Sequence, residues 1–251
     1  MENSYGANAM DLGMAGSGVE PEKEPSVFYV IDGTADSGRQ TREILGGKVG
    51  YRIVKRLFDI VLSILAMVIL APVFLITAIA IKMNDGGPVI HKRYCVGKNG
   101  KAFPMYKFRS MVVNADELID RFPEEIKAQY LQGIKLADDP RITTVGKVIR
   151  KASIDELPQL FNVLKGEMSI VGPRPVIERE VQAYAGKAGV LLSVRPGITG
   201  TWQVYGRGDA AYLSRESQNL QLAYVENMGF LYDIKILGMT FKKVITGEGA
   251  R

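Results

Sequence analysis

Two adjacent carboxylates, Asp155 and Glu156, are the residues of this 251-residue chain best suited to chemistry. They stand in the segment Ser-Ile-Asp-Glu-Leu-Pro, at the start of a helix predicted over residues 155–165. Such a pair can hold a divalent metal ion, and a carboxylate is a competent nucleophile toward a phosphoryl group. A structural interpretation stays open, because Ser153 and Glu156 match a capping box. Alternatively, Asp155 caps the helix and Pro158 falls in its first turn.

Basic residues in loop-forming segments are the second group that suggests chemistry. Arg174 stands between two prolines and Arg195 precedes Pro-Gly, so both side chains leave restrained backbone. Guanidinium groups bind phosphate oxygens in a bidentate manner, and several that converge would bind a diphosphate. For any single residue, a solvated or salt-bridged side chain is the simpler interpretation. The set comprises Lys107, Arg109, Arg141, Arg150, Arg174, Arg195 and Arg207.

The composition excludes several other chemistries. One cysteine, Cys95, and one histidine, His91, rule out an intramolecular disulfide, a cysteine-based zinc site and a histidine-rich metal centre. Cysteine scarcity indicates a reducing compartment. The chain also lacks the glycine motifs of P-loop and Rossmann proteins, and it contains no Asp-x-Asp.

Charge is distributed unevenly along the chain. Residues 1–47 carry eight acids and three bases, a net charge of −5, whereas the whole chain carries +5, so residues 48–251 carry +10. We interpret residues 1–47 as a flexible acidic tail with a short strand at 26–31. The basic remainder predicts an anionic partner, which is nucleic acid, a phosphate ester or anionic lipid.

Residues 57–81 form an apolar run of 25 residues whose one charge is Asp59. Pro72 should break this run into arms of about fifteen and nine residues, and neither arm crosses about 30 Å of hydrocarbon. Basic residues flank the run on both sides, which predicts that both ends stay on the cytoplasmic side. We therefore expect a re-entrant hairpin over 48–85. A kinked single span and a buried helical hairpin remain the alternatives.

Residues 86–251 are predicted to be a separate cytoplasmic body. Short strands are expected on either side of a turn at 97–100, followed by a series of helices. The last helix is apolar over most of its circumference, which fits either the membrane interface or a core position. Helices are predicted over 115–131, 145–150, 155–165, 176–185, 213–227 and 230–245, an extended loop over 172–175 and a tight basic turn over 195–200.

The order of these motifs resembles that of the monotopic phosphoglycosyl transferases, a family of bacterial sugar transferases, over residues 50–246. The motifs are long and occur in the family's order, so chance agreement is improbable. The matching segments are Lys-Arg-Leu-Phe-Asp at 55–59, Tyr-Lys-Phe-Arg-Ser-Met at 106–111, Ile-Arg at 149–150, Asp-Glu-Leu-Pro-Gln-Leu-Phe-Asn-Val-Leu-Lys-Gly at 155–166, Val-Gly-Pro-Arg-Pro at 171–175 and Arg-Pro-Gly-Ile-Thr-Gly at 195–200.

The resemblance implies a reaction and a place in the cell. Such enzymes transfer a sugar-1-phosphate from a UDP-sugar to polyprenyl (undecaprenyl) phosphate and release UMP, the first membrane step in assembling exopolysaccharide, capsule, O-antigen or glycoprotein glycan. They act at the cytoplasmic leaflet of the bacterial inner membrane, and nucleic acid is not a partner. The implied fold is a small, mostly helical α/β catalytic domain with a re-entrant helix–break–helix and interfacial amphipathic helices. This monotopic arrangement is compatible with a homodimer.

The resemblance also implies roles for individual residues. Asp155 would be the nucleophile that forms a covalent phosphosugar intermediate, and Glu156 would hold Mg²⁺ against the diphosphate. The phosphate-binding set would comprise Lys107, Arg109, Arg150, Arg174 and Arg195.

Two departures from the family pattern stand out. Ala71-Pro72 replaces the Ser-Pro pair that members often carry at the break, so Pro72 and packing must hold the re-entrant shape. The multi-span region that precedes the hairpin in larger members has no counterpart in residues 1–47.

Residues 200–207 resemble members that use galactose or glucose.

Two other kinds of protein stay open as alternatives. One is a membrane-anchored basic scaffold without catalysis, and the other is a membrane-associated phosphatase or nucleotide-sugar hydrolase that needs no lipid acceptor.

Overall fold

A computed structural model describes residues 46–119, 121–131, 139–206 and 214–246. In these ranges the chain is mostly helical and carries two small sheets of two strands each. The predicted tail, apart from its last two residues, lies outside the described residues, as do the predicted strand at 26–31 and Arg207. The helices are α1 Val49–Ile69, α2 Ala71–Asp85, α3 Ala115–Ile119, α4 Glu124–Leu131, α5 Thr144–Lys151, α6 Gln159–Lys165, α7 Glu178–Gln182, α8 Ala188–Leu191, α9 Thr201–Tyr205, α10 Arg215–Asn227 and α11 Phe230–Thr246. The strands are β1 Ile90–Val96, β2 Ala102–Phe108, β3 Ser169–Val171 and β4 Gly197–Thr199.

The apolar run forms two helices that meet at a sharp bend. Helices α1 and α2 are bent by 62° at the break between them. Leu70 separates them and Pro72 is the second residue of α2, where a missing N–H and a fixed φ are tolerated. Among the described helices none is by itself long and apolar enough to cross a bilayer, although the bent pair together reaches that length and composition. The predicted break is therefore confirmed.

Two charged residues hold α1 against the body. Asp59 is 2% exposed; its carboxylate accepts hydrogen bonds from the Ser169 hydroxyl at 2.8 Å and from the Ile170 N–H at 3.0 Å. Arg56 donates to two carbonyl groups in the last turn of α6, at 2.6 and 3.0 Å. Carbonyls in the last turn of a helix lack their usual backbone partners, and here the Val163 carbonyl also accepts from the Gly166 N–H at 2.9 Å. The one charge inside the apolar run is thus a contact between the hairpin and β3.

One sheet pairs two neighbouring strands, and the other places two distant segments side by side. Strands β1 and β2 pair antiparallel, with Lys107 opposite His91. Strand β4 pairs in parallel with β3, so the tight turn predicted over 195–200 is wrong at residues 197–199. A strand of three residues is too short to show an alternating pattern, and its partner lies far away in sequence. Only glycine fits at 197, because a Cβ there would collide with the Gly172 backbone.

Several predicted helices have different bounds in the structure. The helix predicted over 115–131 is divided into α3 and α4, because Pro123 cannot continue a helix. The helix predicted over 176–185 is shorter, and the one predicted over 155–165 begins only at Gln159. The predictions for α5, α10 and α11 agree to within two residues, and the loop over 172–175 is confirmed.

Two apolar clusters stabilise the body. The larger one lies between the sheets, α10 and α11, and includes the fully buried Val163, Val225 and Ile236. The smaller one joins α2, β2 and α5 through Ile81, Phe108 and Ile149, and Ile154 and Leu157 pack against it. The second arm of the hairpin therefore packs against the segment that carries Asp155 and Glu156.

Candidate functional site

Asp155 and Glu156 lie in a single 3₁₀ turn, Ile154–Glu156, between α5 and α6. The residue before this turn, Ser153, has φ 55°, a left-handed conformation that is uncommon for residues other than glycine. The Ser153 side chain makes no capping hydrogen bond, and α6 starts after Pro158 without a side-chain cap. Both capping interpretations are therefore wrong, because the reversal at Ser153 ends α5 and separates the carboxylates from the start of α6.

Lys107 on β2 connects the two carboxylates. Its Nζ lies 2.8 Å from Glu156 Oε1 and 3.9 Å from Asp155 Oδ2. The Asp155 side chain is 14% exposed, whereas that of Glu156 is 38% exposed. The pair therefore presents one sheltered carboxylate and one that is more exposed.

Asn162 fixes the position of β2 relative to this turn. Its Oδ1 accepts from the Tyr106 N–H at 3.0 Å, and its Nδ2 donates to the Pro104 carbonyl and to Glu167 Oε2, both at 2.7 Å. Asn162 is completely buried. Because Lys107 follows Tyr106, this contact between α6 and β2 sets where the Lys107 ammonium lies. Sequence reasoning did not single out Asn162, although an amide between Phe161 and Val163 in α6 was a usable signal.

Burial and neighbouring charges compete at this site. Burial raises the pKa of Asp155 above its usual value, the positive charges of Lys107 and Arg150 lower it, and Glu156 adds to the rise. For Lys107 burial favours the neutral amine, but Glu156 and Asp155 outweigh that effect and raise its pKa. A carboxylate shielded from water but held beside cations suits attack on an anionic phosphoryl group.

Arg150 and Arg174 are the other predicted cations that the structure places near this group. Arg150 lies on α5, where the Thr143 hydroxyl accepts from the Gly146 N–H at 2.9 Å as the helix cap. Arg174 donates to Glu180 Oε2 at 3.0 Å. Its charge acts on Lys107, behind the larger effects of burial and the two carboxylates on that pKa.

Arg109 and Arg195 have partners in other parts of the fold. Arg109 is buried and pairs with both carboxylate oxygens of Asp85 and with the Pro88 carbonyl, which closes the end of the hairpin. Arg195 Nε donates to the Gly166 carbonyl at 2.6 Å. Neither is among the main charges that act on Asp155 or Lys107. Their predicted role in binding substrate phosphate stays a prediction, and the geometry gives each a structural contact. The remaining cation with a described position, Arg141, forms a buried ion pair with Asp139.

Asp155 and Glu156 are the carboxylates at this turn that could bind Mg²⁺. Within the described ranges no group of three or more His, Cys, Asp or Glu residues could enclose a metal ion. Mg²⁺ often binds one or two carboxylates together with water and substrate phosphates. Asp155 and Glu156 fit a site of this kind, in which water and the substrate phosphates complete the coordination of the ion.

Comparison with known proteins gives the same family as the motifs. The profile of the family described as bacterial sugar transferase matches residues 50–247. The exopolysaccharide production protein ExoY of Sinorhizobium fredii is 43% identical over 201 residues, which cover 79% of this chain and 88% of that protein. Undecaprenyl-phosphate galactose phosphotransferase of Salmonella typhimurium is 45% identical over 202 residues, 79% of this chain and 42% of that protein. The UDP-galactose-lipid carrier transferase of Erwinia amylovora is 45% identical over 204 residues, 79% of this chain and 42% of that protein.

The match extends over the hairpin, both sheets and the carboxylate turn, although the chain spans less than half the length of the last two relatives. With a family profile over most of its length and relatives above 40% identity, this chain belongs to the bacterial sugar transferase family and is a transferase enzyme.

Proposed function

We propose that this enzyme transfers a sugar-1-phosphate from a UDP-sugar to polyprenyl phosphate, with Asp155 as a covalent nucleophile. The observation that carries the proposal is the sheltered Asp155 carboxylate in a strained turn, with the Lys107 ammonium between it and Glu156. The names of the relatives support a lipid-linked phosphate acceptor and a UDP-sugar donor.

In the first step an Asp155 oxygen attacks the phosphorus that carries the sugar. The bond from that phosphorus to the bridging diphosphate oxygen breaks, and UMP leaves with the bond electrons. Asp155 then carries the phosphosugar as an acyl phosphate. Lys107 and Arg150 stabilise the ionised nucleophile before attack and the charged phosphoryl oxygens during it.

Glu156, with Asp155 beside it, would hold Mg²⁺ when the donor binds. The ion supplies positive charge that offsets the negative charge of the diphosphate. Glu156 is suited to this role because its carboxylate is the more exposed of the pair, while Lys107 fixes one of its oxygens.

In the second step a phosphate oxygen of polyprenyl phosphate attacks the phosphosugar, which releases Asp155 and forms polyprenyl-diphosphate-sugar. The acceptor is a lipid, so the site must lie close to a membrane surface. The bent hairpin over 48–85 supports a monotopic placement, with the body over 86–251 at the cytoplasmic leaflet of the inner membrane. The apolar cluster of Ile81, Phe108 and Ile149 then joins the membrane segment to the catalytic turn.

The sugar is proposed to be a plain hexose, galactose or glucose. The resemblance of residues 200–207 to members that use these sugars supports this, as do two relatives whose names contain galactose. Transfer assays with UDP-galactose, UDP-glucose and their N-acetylated counterparts, each with polyprenyl phosphate, test the choice.

The covalent step is tested by mixing the enzyme with radiolabelled UDP-sugar and Mg²⁺ without acceptor. We expect about one UMP released per active site, label on the peptide that contains Asp155, and renewed turnover when polyprenyl phosphate is added. Asp155→Asn should lower turnover by about 10³-fold or more, and Glu156→Gln should act similarly. Glu124→Gln serves as the control, because the Glu124 side chain is 86% exposed and pairs only with Lys127 of its own helix among the described residues.

The alternatives predict different results. A direct ternary reaction leaves the protein unlabelled and releases no UMP until acceptor is present. A hydrolase releases free sugar phosphate continuously without acceptor, and a scaffold without catalysis is unaffected by Asp155→Asn. The ternary or the scaffold outcome would remove Asp155 from the nucleophile role, whereas continuous hydrolysis without acceptor would contradict transfer to a lipid phosphate.

A further inference from the structure

A second group of basic residues surrounds a small cavity at the start of α1. The cavity has a volume of about 50 Å³, and its lining includes none of the residues of the carboxylate turn. Its charged lining residues are Arg52, Lys55, Arg56, Lys98, Arg195 and Asp59. Five cations and one carboxylate therefore face the same small space.

The guanidinium groups of Arg56 and Arg195 are fixed in place beside one another. Arg56 is held by the carbonyls at the end of α6, and Arg195 Nε is held by the Gly166 carbonyl at 2.6 Å. The Nη2 atoms of Arg56 and Arg195 lie 3.5 and 3.9 Å from the point that a Cβ on Gly166 would occupy. Two donor groups thus converge near one point without needing to reorganise.

The charge of this cluster is incompletely neutralised within the described residues. Lys55 pairs with Asp233 at 2.7 Å, and Asp59 already accepts two hydrogen bonds from β3. The side chains of Arg52 and Lys98 form no hydrogen bond or ion pair with any residue that the structure describes. Burial lowers the pKa of Lys98, and the charges of Arg52 and Arg195 lower it further. Like charges held together in this way destabilise the fold unless an anion joins them.

The cavity size limits what that anion can be. A bound water needs roughly 10–15 Å³ of such volume, so the space holds about four waters. A phosphate group, with four oxygens, has about this size, whereas a whole nucleotide sugar does not fit. Guanidinium and ammonium groups are the donors that suit phosphate oxygens.

We propose that this cavity is a second phosphate-binding site, separate from the carboxylate turn. Its ligand is the phosphate of a lipid headgroup or a soluble phosphate. Arg52, Lys55 and Arg56 lie on the first turns of α1, directly before the apolar run begins at Leu57. A phosphate bound there therefore lies at the level where a membrane-embedded hairpin leaves the bilayer. Binding at this site requires no catalytic role for Asp155.

The test uses the full-length protein in neutral detergent, titrated with sodium phosphate against sodium chloride of equal ionic strength. Lys98→Gln and Arg52→Gln should each weaken phosphate binding by about tenfold, the effect of losing one charge-assisted contact. Lys101→Gln is the matched control, because Lys101 lies in the same β1–β2 connection but is exposed and outside the cavity. Without phosphate, Lys98→Gln should melt at the same temperature as the wild type or higher, since repulsion is relieved.

A second arm distinguishes the source of the phosphate. Melting temperatures are compared in nanodiscs of phosphatidylcholine alone and with phosphatidylglycerol. Stabilisation by phosphatidylglycerol that Lys98→Gln and Arg52→Gln lose assigns the site to a lipid headgroup, whereas an effect in the soluble arm alone assigns it to free phosphate. If both variants respond like Lys101→Gln in both arms, the proposal is wrong. Asp155→Asn should keep the wild-type response in each arm, so a failure of the catalytic proposal would be visible separately.

Discussion

Lys107 is the residue that turns two neighbouring carboxylates into an asymmetric pair. It forms a close ion pair with Glu156 and lies 3.9 Å from Asp155, so one carboxylate is neutralised directly and the other is stabilised at longer range. Burial raises the pKa of Asp155, and the positive charge of Lys107 opposes that rise and so favours the ionised carboxylate. If Asp155 acts as the proposed nucleophile, its charge is stabilised by a cation 48 residues away in the sequence.

Lys107→Met should lower the rate of the UMP burst by about 10- to 100-fold, as expected for the loss of a charge-assisted contact. The side chain keeps its length and its apolar stem, so folding should survive. Lys92→Met, an exposed lysine on the neighbouring strand β1, is the matched control. A burst rate in Lys107→Met equal to that of Lys92→Met would show that Lys107 has no part in activating Asp155. Rapid-quench measurement of UMP gives both rates.

Ser153 stores backbone strain next to the carboxylates. The backbone of Ser153 has φ 55°. Because glycine adopts this conformation freely, Ser153→Gly should keep turnover and leave the free energy of unfolding equal or higher. Ser153→Val should lower the free energy of unfolding by about 1–3 kcal/mol and reduce turnover, because a β-branched residue is disfavoured there. Asn99, with φ 59°, lies in the β1–β2 connection and serves as a control. Asn99→Val should lose stability but keep turnover per folded molecule, and equal turnover in both valine variants would contradict a role for the Ser153 turn.

At the level of elements, the contact between α6 and β2 positions the site. Asn162 hydrogen-bonds to the Tyr106 N–H and to the Pro104 carbonyl of β2, so the helix after the carboxylates and the strand that carries Lys107 form one packed unit. The smaller apolar cluster adds α2 and α5 to this unit. Contacts among α6, β2, α2 and α5 thereby position the carboxylates and Lys107.

Asn162→Leu should cost about 2–5 kcal/mol of unfolding free energy, because the Tyr106 N–H and the Pro104 carbonyl lose their buried partner. Hydrogen exchange at the Tyr106 amide should accelerate by at least a factor of ten. Asn227→Leu is the control: the side chain of Asn227 is exposed and bonds only to the Ala223 carbonyl of its own helix. Its unfolding free energy should change by less than about 0.5 kcal/mol. Similar losses in the two variants would argue against Asn162 as the link between α6 and β2.

At the scale of the whole molecule, one surface combines the hairpin with α11. Asp233 on α11 accepts hydrogen bonds from Tyr51 at 2.7 Å and from Tyr224 at 2.8 Å, and it pairs with Lys55, so α1, α10 and α11 share one polar junction. Other residues of α11 are open to solvent, with Leu231 84% and Phe241 69% exposed. The helix thus has one face in the core, as one of the two predicted placements requires, and one exposed apolar face. Placement of that exposed face at a membrane interface stays a prediction.

The orientation of the hairpin is tested with cysteines introduced at Lys48 and Lys92. Burial raises the pKa of the native Cys95 thiol to about 11, so at pH 8 it is protonated, shielded and slow to react. The wild-type chain therefore serves as the background. Both introduced cysteines should resist a thiol reagent confined to the periplasm, because a bent hairpin returns to the side it entered. Labelling of one position alone would show a span.

Pro72→Ala should change how the cysteines introduced at positions 48 and 92 react with the periplasmic thiol reagent. Without the break, the apolar run of 25 residues can form one helix of about 37 Å, which is long enough to cross the hydrocarbon core. Labelling at one of the two positions should then increase. Ala71→Ser restores a hydroxyl before Pro72 and is the control, which should label like the wild type. Unchanged labelling in Pro72→Ala would mean that Asp59 and Arg56 hold the bend without the proline.

Local sequence alone determined the features whose cause is local. Proline cannot continue a helix, so the break near Pro72 was predictable, and so were the bounds of α5, α10 and α11, which follow their apolar periodicity. The adjacent carboxylates could be singled out as the candidate chemical centre because a pair of this kind is visible without its surroundings, and their catalytic role stays a prediction. The division at Pro123 was equally readable from the sequence and was missed.

Only the tertiary structure decided which cations accompany Asp155. Lys107 and Arg150 meet it because β2 and α5 pack beside its turn, whereas Arg195 joins Arg52 and Lys98 at the start of α1. Strand β4 became visible only through its pairing with β3, since three residues carry no period of their own. Contacts of this kind join residues tens of positions apart, and their geometry depends on how the apolar faces pack rather than on any pattern within one segment.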